Sequence, residues 1–242
     1  MGAALSPVPA PTSAMAEPRL IIFDCDGVLV DSERLAVGID ARAIGALGWA
    51  ITEAEVIERF LGRSDADVLA ALEQRLGRPV PDGWADQWSR EYSRAFDEQL
   101  EAVPGVAAAI SSIAAAGLRT CVASSGSHEK MRRTLGLAGL WEHFEGRVFS
   151  ASEVPRGKPA PDLFLHAATR SGVSADRCVV VEDSRFGIAA ARAAGMASVG
   201  FAGGITPADH LRAADTVIAD MADLPRAVAD LLARRTGPAG ER

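Results

Sequence analysis

The feature that most constrains this chain is a four-residue apolar run that stops on acid. Leu20, Ile21, Ile22 and Phe23 are followed without a break by Asp24-Cys25-Asp26-Gly27. A short, continuously apolar run suits a strand buried on both faces, as in a parallel sheet. On extended backbone the carboxylates of Asp24 and Asp26, two residues apart, point to one side. Gly27 then permits a sharp turn or a close approach. Like charges this close repel unless a cation or a proton lies between them. Such a strand end is costly for folding alone. Cys25 faces the opposite way and reads as packing.

The rest of the chain sorts into two patterns. Ser32–Gly48 carries Leu35, Ile39, Ala43 and Leu47 at steps of four, a helical period. Thr52–Leu61 opens with Thr52 as N-cap and Glu55 at the capping-box position. Ser64 caps a helix running to Leu76, and Gly77–Gly83 is a loop. Trp84–Leu100 places Trp84, Trp88, Tyr92 and Phe96 four apart, which reads as a packing stripe. Residues 35–99 are therefore expected to be an all-helical insert, a cap.

Beyond Pro104-Gly105 helices and strands alternate. Helices are expected over Val106–Ala116, Ser127–Leu135 (ended by Gly136), Asp162–Ser171, Phe186–Ala194, Pro207–Ala213 and Leu224–Arg234. Strands are expected over Leu118–Ala123, Val148–Ser150, Cys178–Val181, Ala197–Phe201 and Thr216–Ile218. Alternation of this kind gives right-handed crossovers and a doubly wound, Rossmann-like parallel sheet in an α/β core, here residues 19–34 and 100–236. Residues 1–18, rich in Ala and Pro with Met15 as a second candidate start, read as a flexible tail rather than a signal peptide. Residues 237–242 read as a frayed end.

Composition excludes some functions. The net charge of −7 makes nucleic acid an unsuitable partner. No apolar run approaches the ~20 residues that span a membrane. Cys25, Cys121 and Cys178 are scattered in apolar runs, which fits a reducing, cytoplasmic setting without disulfides.

In an open parallel sheet, ligands bind beyond the carboxyl ends of the strands. Asp24 and Asp26 follow the first strand, Ser124-Ser125-Gly126 the second, and Glu182-Asp183 a later one. Lys158 lies in Gly157-Lys158-Pro159-Ala160-Pro161-Asp162, ahead of a helix. Four acids on one rim require a divalent cation, and carboxylates with carbonyl and water favour a hard ion such as Mg²⁺. The Ser124–Gly126 loop opens a helix at Ser127, so its amides suit an anion. A cation, a lysine and a helix start beside an acid suit phosphoryl transfer, where catalysis is positioning and charge neutralisation.

Four motifs taken together resemble the haloacid dehalogenase superfamily, with a cap of its C1 type. They are Asp24–Ser32, Val122–Ser125, Gly157–Asp162 and Val180–Ser184. The resemblance implies a phosphatase acting on a small-molecule phosphate ester; the oligomeric state is not legible in the sequence, and a monomer is compatible with it. It implies Asp24 as nucleophile, Asp26 as general acid/base, and Lys158 holding nucleophile and phosphoryl group. Ser124, Ser125, Gly126 and Arg63 would bind the phosphate or substrate. Asp24, Glu182, Asp183 and Asp26, the last through its backbone carbonyl, would hold Mg²⁺.

The alternative is a sugar-phosphate mutase of the β-phosphoglucomutase type. Those relatives carry a histidine early in the cap and an arginine after its Gly loop. Here no His lies between Asp24 and Ser127, and Gly62 is followed by Arg63-Ser64-Asp65. A phospho-receiver module is smaller and lacks the insert, and dehalogenases lack the second Asp. Arg34, Arg59, Arg63, Ser64 and Asp65 are expected to shape the substrate site. Asp31, Ser32 and Glu33 read equally as hinge, substrate contact or solvated helix entry. His128, His143, His166 and His210 read as surface or helix residues, with His128 nearest the anion loop.

Overall fold

The computed structural model describes residues 18–236. The tail expected over residues 1–18, apart from Pro18, and the one over 237–242 lie outside the described residues.

Six strands form one parallel sheet: β1 Leu20–Phe23, β2 Arg119–Ser124, β3 Val148–Ser150, β4 Cys178–Glu182, β5 Ala197–Phe201 and β6 Thr216–Ile218. Their order is β3-β2-β1-β4-β5-β6. The period-two alternation of strands divides the core into two layers. Leu20, Ile22, Cys121, Ala123, Cys178 and Val180 pack on one face, against α8 (Asp162–Arg170) and α9 (Arg185–Ala193). Ile21, Phe23, Val122, Val179 and Val181 pack on the other, against α5 (Val106–Ala115), α6 (His128–Leu137) and α10 (Leu224–Thr236). This two-sided burial is why the strands read as continuous apolar runs.

Between β1 and α5 the chain is helical: α1 Glu33–Ala46, α2 Glu53–Phe60, α3 Asp65–Leu76 and α4 Trp84–Gln99. These helices bury their own cluster of Val37, Ile44, Leu47, Val56, Phe60 and Leu72. Thr52 and Glu55 form the expected capping box, and Ser64 Oγ accepts the Asp67 N–H at 3.2 Å. The aromatic stripe of α4 is packing. Phe96 enters the main core, Tyr92 packs against it, and Trp84 Nε1 donates to the Ala43 carbonyl at 3.1 Å.

Two local expectations are corrected, and one element was not foreseen. α6 continues through Gly136 to Leu137, because Leu135 and Met131 are buried on its inner face and hold the last turn in place. Pro207–Ala213 forms only a 3-10 turn at Ala208–Leu211, with Leu211 its sole buried residue. A short helix, α7 (Trp141–Phe144), lies before β3, fixed by the fully buried Phe144 edge-on to Phe23. Among the described residues no helix is long and apolar enough to cross a membrane.

Candidate active site

The winding direction of the sheet reverses at β1 and β4, so a crevice opens beyond their carboxyl ends. Phe23 pairs with Val122 on one side and Val181 on the other, and the Asp24 N–H donates to the Val181 carbonyl at 2.9 Å. That register sets Asp24 beside the ends of β2 and β4.

Asp24, Glu182 and Asp183 are buried, and each offers a carboxylate oxygen within 4.8 Å of the others. Lys158, also buried, donates to Asp24 Oδ1 and Glu182 Oε1, both at 2.6 Å. Glu182 Oε2 accepts the Ser184 N–H at 2.7 Å and its hydroxyl at 2.8 Å. Thr206 Oγ1 donates to Asp183 Oδ2 at 3.3 Å.

Two glycines make room for these acids. A Cβ on Gly27, whose φ is +76°, would lie 2.1 Å from Asp183 Oδ2. A Cβ on Gly187 would lie 1.8 Å from Glu182 Oε1.

Burial disfavours ionised carboxylates here. It pushes Asp24 up to about 7 against the pull of Lys158, with Glu182 adding to the rise. Burial also drives Asp183 well above its usual range, and the neighbouring charges of Glu182, Glu33 and Asp24 reinforce it. Burial opposes the charge on Lys158, but Asp24 and Glu182 outweigh it and hold the ammonium above its ordinary value. Three carboxylates against one ammonium leave two formal negative charges in a dry site. An all-oxygen donor set with that deficit fits a divalent metal ion.

Asp26 is arranged differently. Its Oδ1 accepts from Ser32 Oγ at 2.6 Å and its Oδ2 from Lys130 Nζ at 3.0 Å. Burial would raise its carboxyl, yet Lys130 and the Ser32 hydroxyl outweigh that and hold it below the usual value. Its side chain thus stands apart from the trio.

Both Asp24 and Asp26 border a small cavity of ≈ 50 Å³. Ser124, Ser125 and Gly126 line one side, and Gly62, Arg63 and Asp65 close it from the cap. Part of the expected anion loop is already engaged. The Gly126 N–H donates to Ser124 Oγ at 3.1 Å, and Ser125 Oγ donates to the Gly62 carbonyl at 3.1 Å. Gly62 could not carry a side chain, since its Cβ would fall 2.3 Å from Ser184 Oγ.

The structure therefore brings together Asp24, Asp26, Lys158, Glu182, Asp183, the Ser124–Gly126 loop and Arg63. Other candidates sit elsewhere. Arg34 pairs with Asp31 at 2.8 Å on the surface. Ser64 is an N-cap. Arg59 borders a separate groove. His128 and His166 both reach Glu153, at 2.8 and 3.1 Å, and His210 reaches Glu58 at 2.8 Å.

Of the three readings open for Glu33, the structure favours a pocket contact: it lines the cavity, with its carboxyl pushed up to about 8 by burial and by Asp26. Lys130 was missed by sequence reasoning. Its only signal was a place three residues past the Ser127 cap, which sets it in the first turn of α6.

The sequence profile of the haloacid dehalogenase-like hydrolases matches residues 18–195. The chain belongs to that family. It is 32% identical over 183 residues to a 6-phosphogluconate phosphatase of Escherichia coli K12, covering 75% of this chain and 81% of that one. It is 30% identical over 177 residues to a phosphorylated carbohydrates phosphatase of Thermotoga maritima, covering 73% and 81%. Among solved structures, a haloacid dehalogenase-like protein of unknown function from Agrobacterium tumefaciens is similar with a TM-score of 0.74. That pair shares 38% identity, with 88% of this chain and 99% of the other covered.

Proposed function

We propose that the protein is a phosphatase that hydrolyses a small phosphorylated metabolite, a sugar phosphate or a close analogue, through an aspartyl-phosphate on Asp24. The observation that carries this is the Asp24 carboxylate, held at 2.6 Å by buried Lys158 in a cavity that Asp26 and the Ser124–Gly126 loop also line. The two phosphatase relatives, each about 30% identical over most of their length, support the same activity.

Asp24 attacks phosphorus, and its oxygen–phosphorus bond forms as the ester bond breaks. Asp26, ionised in the resting site, takes up a proton with the ester and gives it to the departing oxygen. Asp26 then takes a proton from water, whose oxygen displaces Asp24 from phosphorus and restores the carboxylate. The sum is ester plus water giving alcohol plus phosphate. Lys158 and the Ser124 hydroxyl offset charge on the phosphoryl oxygens. Asp24, Asp183, Glu182 and the Asp26 carbonyl are the groups that would hold Mg²⁺. When bound, the ion supplies positive charge that lets the acids ionise together and draws the phosphoryl group toward Asp24.

Residues 35–99 act as the cap over a core of 19–34 and 100–236, and Arg63 and Asp65 from that cap border the bound ester. The three buried free thiols, which a reducing compartment preserves, support a cytoplasmic setting.

The test is phosphate release from a panel of sugar phosphates with Mg²⁺. Asp24→Asn is expected to abolish it, and chelation to remove it reversibly. Wild-type turnover by Asp24→Asn would refute the scheme. Phosphate release without a bisphosphate primer separates hydrolysis from the mutase reaction.

A further inference from the structure

A second cavity opens beside the catalytic one, at the seam of cap and core. It is a groove of ≈ 700 Å³, within the range of small-molecule sites. Trp49, Arg59, Arg63 and Arg75 line it from the cap, and Arg185 and Phe186 from the start of α9. Four arginines share this wall in a chain whose net charge is −7. They stack in two pairs. Arg59 and Arg75 lie 5.7 and 5.3 Å from the Trp49 ring centroid. Arg63 and Arg185 lie 5.9 and 5.0 Å from that of Phe186.

Stacking fixes a guanidinium plane while leaving its N–H edges free to bind anions. Only Arg185 has a carboxylate partner among the described residues, Glu58 at 2.5 Å. Arg63 also donates to the Asp67 carbonyl at 3.2 Å, Arg59 lies within the field of Glu55, and among the described residues neither Arg59 nor Arg75 forms an ion pair. Concentrated positive charge that Glu58 and Glu55 offset only in part focuses potential in a concave wall and draws anions that the rest of the surface repels. Arg185 is taken up by Glu58 through both terminal nitrogens. That leaves Arg59 with Arg75 on one ring and Arg63 on the other to suit two anionic groups on one molecule, since a guanidinium takes phosphate or carboxylate oxygens bidentately.

We infer that this groove is a second ligand site, which takes a small metabolite carrying two phosphate groups and holds it across the cap–core seam. Arg63 borders both cavities, so the groove adjoins the catalytic pocket without sharing its acids. The inference is independent of the catalytic scheme, because it concerns binding and needs no turnover.

The probe is fructose 1,6-bisphosphate, titrated calorimetrically into the Asp24→Asn protein with the catalytic site saturated by orthophosphate and Mg²⁺. Binding is expected to persist under those conditions. It should weaken about tenfold or more on removing one guanidinium or adding one opposing charge, as Arg75→Met and Gln74→Glu do. Gln74 is an exposed groove residue, so its variant folds even if Arg75→Met does not. Both variants, in the background with Asp24 intact, should release phosphate from a monophosphate as the parent does. Loss of all binding in orthophosphate, or unchanged affinity in the folded variants, would overturn the inference.

Discussion

Gly27→Ala tests the packing logic of the site through a residue that carries no functional group. The added Cβ would sit 2.1 Å from Asp183 Oδ2 and 2.7 Å from Asp183 Cγ. Ordinary contact needs ~3.5 Å, so the carboxylate or the turn must give way by more than about 1 Å. The φ of +76° adds backbone strain of about 1–2 kcal/mol for a residue with a Cβ. Relief by swinging Asp183 away breaks its contact with Thr206 and takes its oxygen out of the acidic trio. A misplacement of about 1 Å in a catalytic constellation costs on the order of 100-fold. The assay is kcat/KM for a sugar phosphate as a function of Mg²⁺ concentration, alongside a thermal melt. We expect a loss near that size, a rightward shift of the metal curve and a modest fall in Tm. A folded variant with parental kcat/KM and metal dependence would refute the claim that Gly27 exists to admit Asp183.

Two further outcomes follow from the charges. Lys158→Met strands Asp24 and Glu182 without their shared cation, and breaking a buried pair of this kind costs about 3–5 kcal/mol, read by urea unfolding; an unchanged midpoint would mean the ammonium does not stabilise them. Asp40 is raised from 3.8 to about 6 by burial, against the hydrogen bond that Tyr92 donates to it. The folded protein therefore holds this proton more tightly than the unfolded chain, so stability declines as pH rises from about 4 to about 6. Asp40→Asn should flatten that decline and gain up to about 3 kcal/mol at pH 7 over its effect at pH 4. A difference between the two proteins that ignores pH would contradict it.

Much of this protein is written locally. Strand boundaries at Val148–Ser150, Ala197–Phe201 and Thr216–Ile218 follow from short apolar runs between turn residues. The caps at Thr52, Ser64 and Ser127 follow from single hydroxyls, because a cap is satisfied within three residues of itself. The acids at strand ends declared a rim because parallel strands deliver their carboxyl ends to one side.

What the sequence could not contain was distance. Lys130 lies 104 residues from Asp26 and Lys158 134 from Asp24, and only the assembled sheet and the packing of α6 decide that one ammonium meets Asp26 while the other bridges Asp24 and Glu182. The same holds for Arg59, which reads as a substrate contact in one dimension and faces a different cavity in three. Charge and period are properties of a segment. Which charges neutralise one another, and which stay open for a ligand, is settled only when segments distant in the chain are buried side by side.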